Sequence, residues 1–575
     1  MTTKAVLLGR QYIILLVALS LNAVVLATPK QPALINSLNN DEELVRLGKQ
    51  IYRQGFSSTN RPVTAIVQGD VPLKGTQFTC ISCHRRSGMG AIEGDRIVPP
   101  VTGLALYHSS DWFWTDIENL TKNTLASPRS NQRVLSPNLT YKQRPAYTDQ
   151  TLAQAIREGI DSNGQPLDPL MPRYNLTEQD MSALIAYLKT LSTQFSPGVT
   201  EKNIYLATVI TDEVNSEQRQ AMLAVLETYF QEKNAQTRHE TERFKQGPFY
   251  HRYKNEAYRQ WVLLPWLLTG TPETWPEQLV RYNQQQPIFA MISGISTYSW
   301  QPIHTFCEQQ QIPCLLPNTD WPTISDKSDD FYTFYFSKGI SLEALVLAKQ
   351  LAKQSTAAVI LQVFRPDSLG AVAAQIFHRT LPKVAIYDWS LTSKLTVDSL
   401  RHQLSTTQAN RVIFWLTGDE LIEFKNWSEP LADSLQFYFS ATLLNSQFTL
   451  IPEVMRNQSF VAHPYSLPTD LKQRSQRIQA WLRNRNRPLV DIKIQDQTYF
   501  ASLIMGEALT HIKRYFYRDY LIDTIDHAEG MGVFSAYYPR LSFGPGQRYL
   551  AKGGYILELT SQNDELVNNS IWIVP

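Results

Sequence analysis

Five consecutive residues, Cys80-Ile81-Ser82-Cys83-His84, constrain this chain more than any other stretch. They read C-x-x-C-H, the spacing that attaches a c-type haem. Two intervening residues set the thiols about one helical turn apart, so each can form a thioether with one of two vinyl groups on one edge of the macrocycle. The adjacent His84 can then reach the iron as proximal ligand. The same pattern also arises in zinc sites and by chance, so the flanking sequence has to decide.

The N-terminus adds a compartment. Lys4 and Arg10 are positive, Tyr12 to Leu26 is apolar apart from Ser20 and Asn22, and Val25-Leu26-Ala27 fits a small-residue cleavage site. Residues 1–27 are expected to be a signal peptide cut after Ala27; retained, the same run would be a membrane anchor. Bacterial haem c is attached outside the cytoplasm, so leader and motif support each other, and the expected location is the periplasm. Lys+Arg at 54 balance Asp+Glu at 52, which gives no excess of positive charge for nucleic acid. No nucleic-acid partner is expected, and a membrane only through a retained leader.

The flanks of the motif are helical. Leu44, Leu47, Gly48, Ile51 and Tyr52 fall at i, i+3, i+4, i+7 and i+8, one face of a helix, where Gly48 would admit a second helix at close range. After the motif, Gly88, Gly90 and Gly94 form a loop leading to Pro99-Pro100-Val101-Thr102-Gly103. A metal-bound imidazole needs its other nitrogen held by an acceptor, and the Pro99 carbonyl is the favoured one. Downstream, Leu170-Met171-Pro172 enters a segment in which Thr177 is an N-cap with Asp180 three residues on, before the helical face Met181, Leu184, Ile185, Leu188 and Leu191. Met171 can offer its thioether as sixth ligand to the iron, favouring the reduced state; Met89 and His108 are the rivals, and core filling is the other reading of Met171.

On these segments, residues 41–192 resemble a class I cytochrome c. The resemblance implies a small all-α fold in which N- and C-terminal helices cross over one covalent haem c, with Cys80 and Cys83 as attachment points and His84 and Met171 as axial ligands. Arg85 stands where that family often has Gly, and Leu104 to Arg144 is an insertion of open role.

Past Ser196-Pro197-Gly198 the rhythm changes. Ile204–Ile210, Trp261–Leu268, Ile288–Ile292, Ile312–Leu316, Ala357–Val363, Val384–Tyr387 and Val412–Leu416 read as strands alternating with helices, and Tyr555–Leu559 and Ile571–Val574 as closing strands. This is the pattern of parallel sheets covered on both faces. The expected organisation is therefore multidomain: a haem unit at 38–195, a linker at 196–202 and an α/β unit at 203–575. The turn Ser293-Gly294-Ile295-Ser296-Thr297 follows a strand end, where such sheets bind ligands; its hydroxyls and amides suit a small polar anion, or simply cap the next helix. Cys307 and Cys314 are expected to pair as a structural disulfide in an oxidising compartment, the other reading being two buried thiols. Asp523, Asp526 and Glu529 read as a solvated edge.

Phe289-Ala290-Met291-Ile292-Ser293-Gly294, Gln311-Ile312-Pro313-Cys314-Leu315-Leu316 and Asp367-Ser368-Leu369-Gly370 resemble segments of the type I periplasmic binding proteins, in particular the branched-chain amino-acid receptors of ABC transporters. That resemblance implies two α/β lobes closing on a small ligand. Together the readings point to single-electron transfer between periplasmic redox partners, coupled to a solute- or partner-binding module. The alternative is an ABC-type receptor or sensor with an accessory or regulatory haem. An enzyme ranks last, because it needs Met171 off the iron.

Overall fold

The computed structural model describes residues 32–93, 96–110, 144–245, 259–324, 330–353, 358–424, 427, 432, 434–527, 534–561 and 567–575. The expected leader, most of the Leu104–Arg144 insertion and Glu529 lie outside the described residues.

The first unit is built on two crossed helices, Pro32–Gln54 and Glu178–Thr190. Gly48 is what lets them meet: a Cβ there would lie 2.0 Å from the Ala183 carbonyl oxygen and 2.7 Å from the Tyr187 Cβ. Beside this contact the Tyr52 and Tyr187 rings pack at 5.4 Å. Thr177 caps the second helix, its side chain accepting from the Asp180 amide. Asp149–Glu158 opens with Thr148 and ends on Gly159 at φ +71°.

This unit is not all-α. Strands β1 (Thr64–Val67), β2 (Val71–Lys74), β3 (Ala91–Glu93), β4 (Arg96–Val98) and β5 (Arg173–Asn175) form an antiparallel β2-β1-β5 sheet and a β3-β4 hairpin. The cause is local. Thr64-Ala65-Ile66-Val67 is rich in β-branched residues, and Gln68 and Gly69, at φ +54° and +92°, turn the chain back on itself.

The α/β region contains two sheets. The first has the order β10-β9-β8-β6-β7, all parallel: β6 (Asn203–Thr211), β7 (Gln260–Leu268), β8 (Ala290–Ile292), β9 (Cys314–Leu315) and β10 (Thr333–Phe334). The second runs β12-β11-β13-β14-β15-β16-β17, with β11 (Val359–Phe364), β12 (Ala385–Ser390), β13 (Arg411–Trp415), β14 (Gln436–Ser440) and β15 (Ser459–His463) parallel. Strands β16 (Gly554–Leu559) and β17 (Val567–Ile573) close it antiparallel. Between β15 and β16 the chain returns to the first sheet through the helix Ile492–Ile512, which packs on Ser216–Lys245 and β8. Each sheet is therefore completed by later chain, which makes the region two-lobed. Cys307 and Cys314 are joined as a disulfide, with Cα atoms 6.3 Å apart.

Candidate haem site

Cys80, Cys83 and His84 lie on the short helix Ile81–His84 and its N-cap. His84 Nδ1 is 2.9 Å from the Pro99 carbonyl oxygen. The loop can pass this close because Gly90 sits at φ +75°, where a Cβ would lie 2.1 Å from the Val98 oxygen. Burial lowers the proton affinity of His84, with the Pro99 carbonyl opposing it. With Nδ1 against a carbonyl oxygen that can only accept, the ring donates Nδ1–H to Pro99 and Nε2 is the nitrogen left for a metal.

Cys80, His84, Pro99, Met171, Tyr174 and Leu188 are among the residues around one cavity of about 600 Å³. Its other walls are mostly apolar, from Leu106, Leu152, Ile156 and Leu184. Tyr174 closes one side, its hydroxyl donating to the Phe78 carbonyl at 2.8 Å. Burial pushes the Cys80 thiol up to about 12, so it is a protonated thiol and a poor partner for thiol–disulfide exchange. Among the described residues no three His, Cys, Asp or Glu side chains gather as a metal cage, so the zinc reading lacks its geometry. A mostly apolar slot lined by Cys80, the His84 imidazole and Met171, with Cys83 on the adjoining short helix, fits a haem. Of the rival ligands, Met89 is buried against Ala105 and Tyr517, and His108 is exposed with Nδ1 2.8 Å from the Leu104 carbonyl; neither lines the cavity.

The segment after His84 is docked on the α/β region, chiefly against the helix Arg518–Asp526, with Arg86 also over the Phe331 ring at 3.9 Å. Asp519 accepts from Arg53 at 2.8 Å and from the Tyr332 hydroxyl at 2.6 Å, and Arg86 Nε lies 3.6 Å away. Asp523 accepts the Ser87 amide at 2.9 Å. Asp526 is paired with Arg548 at 2.7 Å. Asp523 and Asp526 are only 8% and 5% exposed, which corrects their reading as a solvated edge. Burial raises both carboxyls, Asp523 to about 7. The signal for this was present: positions 519, 523 and 526 share one helix face.

In the turn after β8 the donors are already engaged. Glu213 Oε1 accepts from the Ser296 hydroxyl (3.1 Å), the Thr297 amide (3.0 Å) and the Thr297 hydroxyl (3.2 Å). Ser293 Oγ accepts from Asn318 Nδ2 at 2.9 Å and lies 3.2 Å from Thr498 Oγ1. Gly294, at φ +110°, passes its carbonyl to the Asn318 amide at 2.7 Å. The turn does gather a carboxylate, but the chain's own. It does not cap the next helix, which starts at Gln301 after Trp300.

The cytochrome c family model matches residues 74–192, a span that begins after the helix Pro32–Gln54. No curated protein matches the chain. Among solved structures, a branched chain amino acid ABC transporter protein from Thermus thermophilus with bound valine is 13% identical, with a TM-score of 0.48, over 65% of this chain and 97% of that one. A leucine binding protein from Thermotoga maritima is 10% identical, with a TM-score of 0.43, over 64% and 98%. A solute binding protein of an ABC transporter from Rhodopseudomonas palustris, in complex with 3,4-dihydroxybenzoic acid, is 12% identical, with a TM-score of 0.45, over 65% and 97%. The chain thus matches the cytochrome c family model over residues 74–192, and it is similar over about two thirds of its length to these ABC-type substrate-binding proteins.

Proposed function

We propose that the chain is an exported electron carrier in which Cys80 and Cys83 would hold one covalent haem c and His84 and Met171 would serve as its iron ligands. The observation that carries this reading is the placement of Cys80, His84 and Met171 around one cavity, with His84 held by Pro99. When bound, the haem supplies one-electron chemistry at its iron. The protein's part is to hold the imidazole neutral and oriented, to keep water from the slot with Leu106, Leu152, Ile156 and Leu184, and to give a soft sulfur that favours the reduced state. The α/β region would dock a solute or a donor protein.

Absorption spectra of the periplasmic protein, oxidised and reduced, test this. A covalent low-spin haem with a sulfur–iron band lost in Met171→Ala is expected; a band unaffected by the substitution removes Met171 from the iron. A second reading, a solute receptor or sensor with a regulatory haem, draws on the contact of Asp523 with Ser87, three residues past His84. It requires a solute to bind open and closed lobes differently, and a solute-linked change in redox potential would distinguish it.

A further inference from the structure

A second cavity of about 600 Å³ lies where the two units meet, and no part of the haem reading uses it. Its wall carries four cationic side chains, Arg86, Lys338, Arg548 and Lys552. Asp330 is the acidic side chain on the same wall among the described residues, and it already engages His304 Nε2 at 3.2 Å. Arg548 is 6% exposed and paired with Asp526, yet its Nε is buried with no hydrogen-bond acceptor among the described residues, while Arg86 Nε is ion-paired with Asp519 at 3.6 Å and its guanidinium lies over the Phe331 ring. Lys338 Nζ lies over the Tyr549 ring at 5.6 Å, and Lys552 Nζ donates to Ser542 at 2.8 Å. The floor is apolar and aromatic: Tyr335 and Tyr549 stack at 5.6 Å, and Leu342 and Leu345 adjoin them. A buried cationic donor without an acceptor, such as Arg548 Nε, is costly unless an anion meets it, and three further cations share its wall. Beside stacked rings they suit an anion with an apolar body.

We infer that this junction cavity is a binding site for a small organic carboxylate, with Lys338, Lys552 and Arg86 meeting the carboxylate and the Tyr335–Tyr549 stack meeting its body. Arg86 comes from the haem segment and the rest from the α/β region, so the site exists only in the joined chain. It uses Arg86 as a side chain rather than the haem, and so stands or falls apart from the haem assignment.

The test is isothermal titration calorimetry of the full chain with benzoate and phenylacetate, against benzyl alcohol and inorganic phosphate. Saturable binding of an aryl carboxylate at one site is expected, with none for benzyl alcohol. The double substitution Lys338→Gln/Lys552→Gln should weaken it about tenfold with an unchanged melting temperature, and Lys338→Arg should retain it. No aryl carboxylate binding at millimolar concentration overturns the inference. So does binding that the double variant leaves intact, or phosphate binding as tight as benzoate.

Discussion

The two units differ in what fills their centres. In the α/β region both sheets are covered by packed side chains, with Phe289, Phe377, Phe414 and Phe437 wholly buried. The haem unit instead wraps its helices around a cavity of about 600 Å³, which the proposed haem would fill. An apolar slot left without apolar contents forfeits the contacts its lining would make. One unit is therefore expected to fold on its own side chains, and the other to depend on its cofactor.

The largest break in that contrast comes from removing the attachment points. Cys80→Ser/Cys83→Ser should abolish the cooperative melting of the haem unit and leave that of the α/β region, seen as loss of one of two calorimetric transitions. Next in size is Asp519→Ala, which strips the acceptor from Arg53 and the Tyr332 hydroxyl at a mostly buried interface. A cost of about 3 kcal/mol is expected, seen as two melting transitions moving apart. Asp523→Asn sharpens the comparison through pH. The buried carboxyl is raised to about 7, so between pH 4 and 7 the folded state holds a proton that the unfolded state has lost, and stability falls as pH rises through that window. The Asn variant should flatten this slope in melts from pH 5 to 8, but not remove it, because burial also raises Glu343 to about 7. The smallest effect belongs to Arg85, at φ +65° and ψ 170°, a region that favours glycine. Arg85→Gly should stabilise the haem unit by about 1 kcal/mol, read from denaturant titration.

These effects also mark what the sequence could show. The haem motif, the helix face that carries Gly48 and the Thr177 cap are local, set by residue type and spacing over a few positions, and so were legible. The Thr64–Val67 strand was missed because the helical pattern on either side outweighed a run of four residues. The acceptors of Arg53, Arg86 and Ser87 were not legible, because Asp519 and Asp523 lie more than four hundred positions away in the chain. An acid reads as solvated by default; only its shared face with Asp519 and Asp526 marked Asp523 as different. The Ser293–Thr297 turn reads in sequence as a place for an external anion or as a helix cap, and its pairing with Glu213, some eighty positions earlier, was not legible.

Arg518 fastens the junction between the two units. Its guanidinium donates to the carbonyls of Ile288, Phe289, Gln310 and Gln311, and its amide to the Ser196 hydroxyl. Ser196 in turn donates its amide to the Phe516 carbonyl. The Ser-Pro-Gly segment is pinned rather than slack. A redox centre on a loose tether can sweep a volume and meet partners in many poses, with its encounter rate set by tether length. A pinned one has a single orientation, so if the haem carries electrons as proposed, every partner would approach the same exposed side, and the α/β region would be part of the landing surface that selects them.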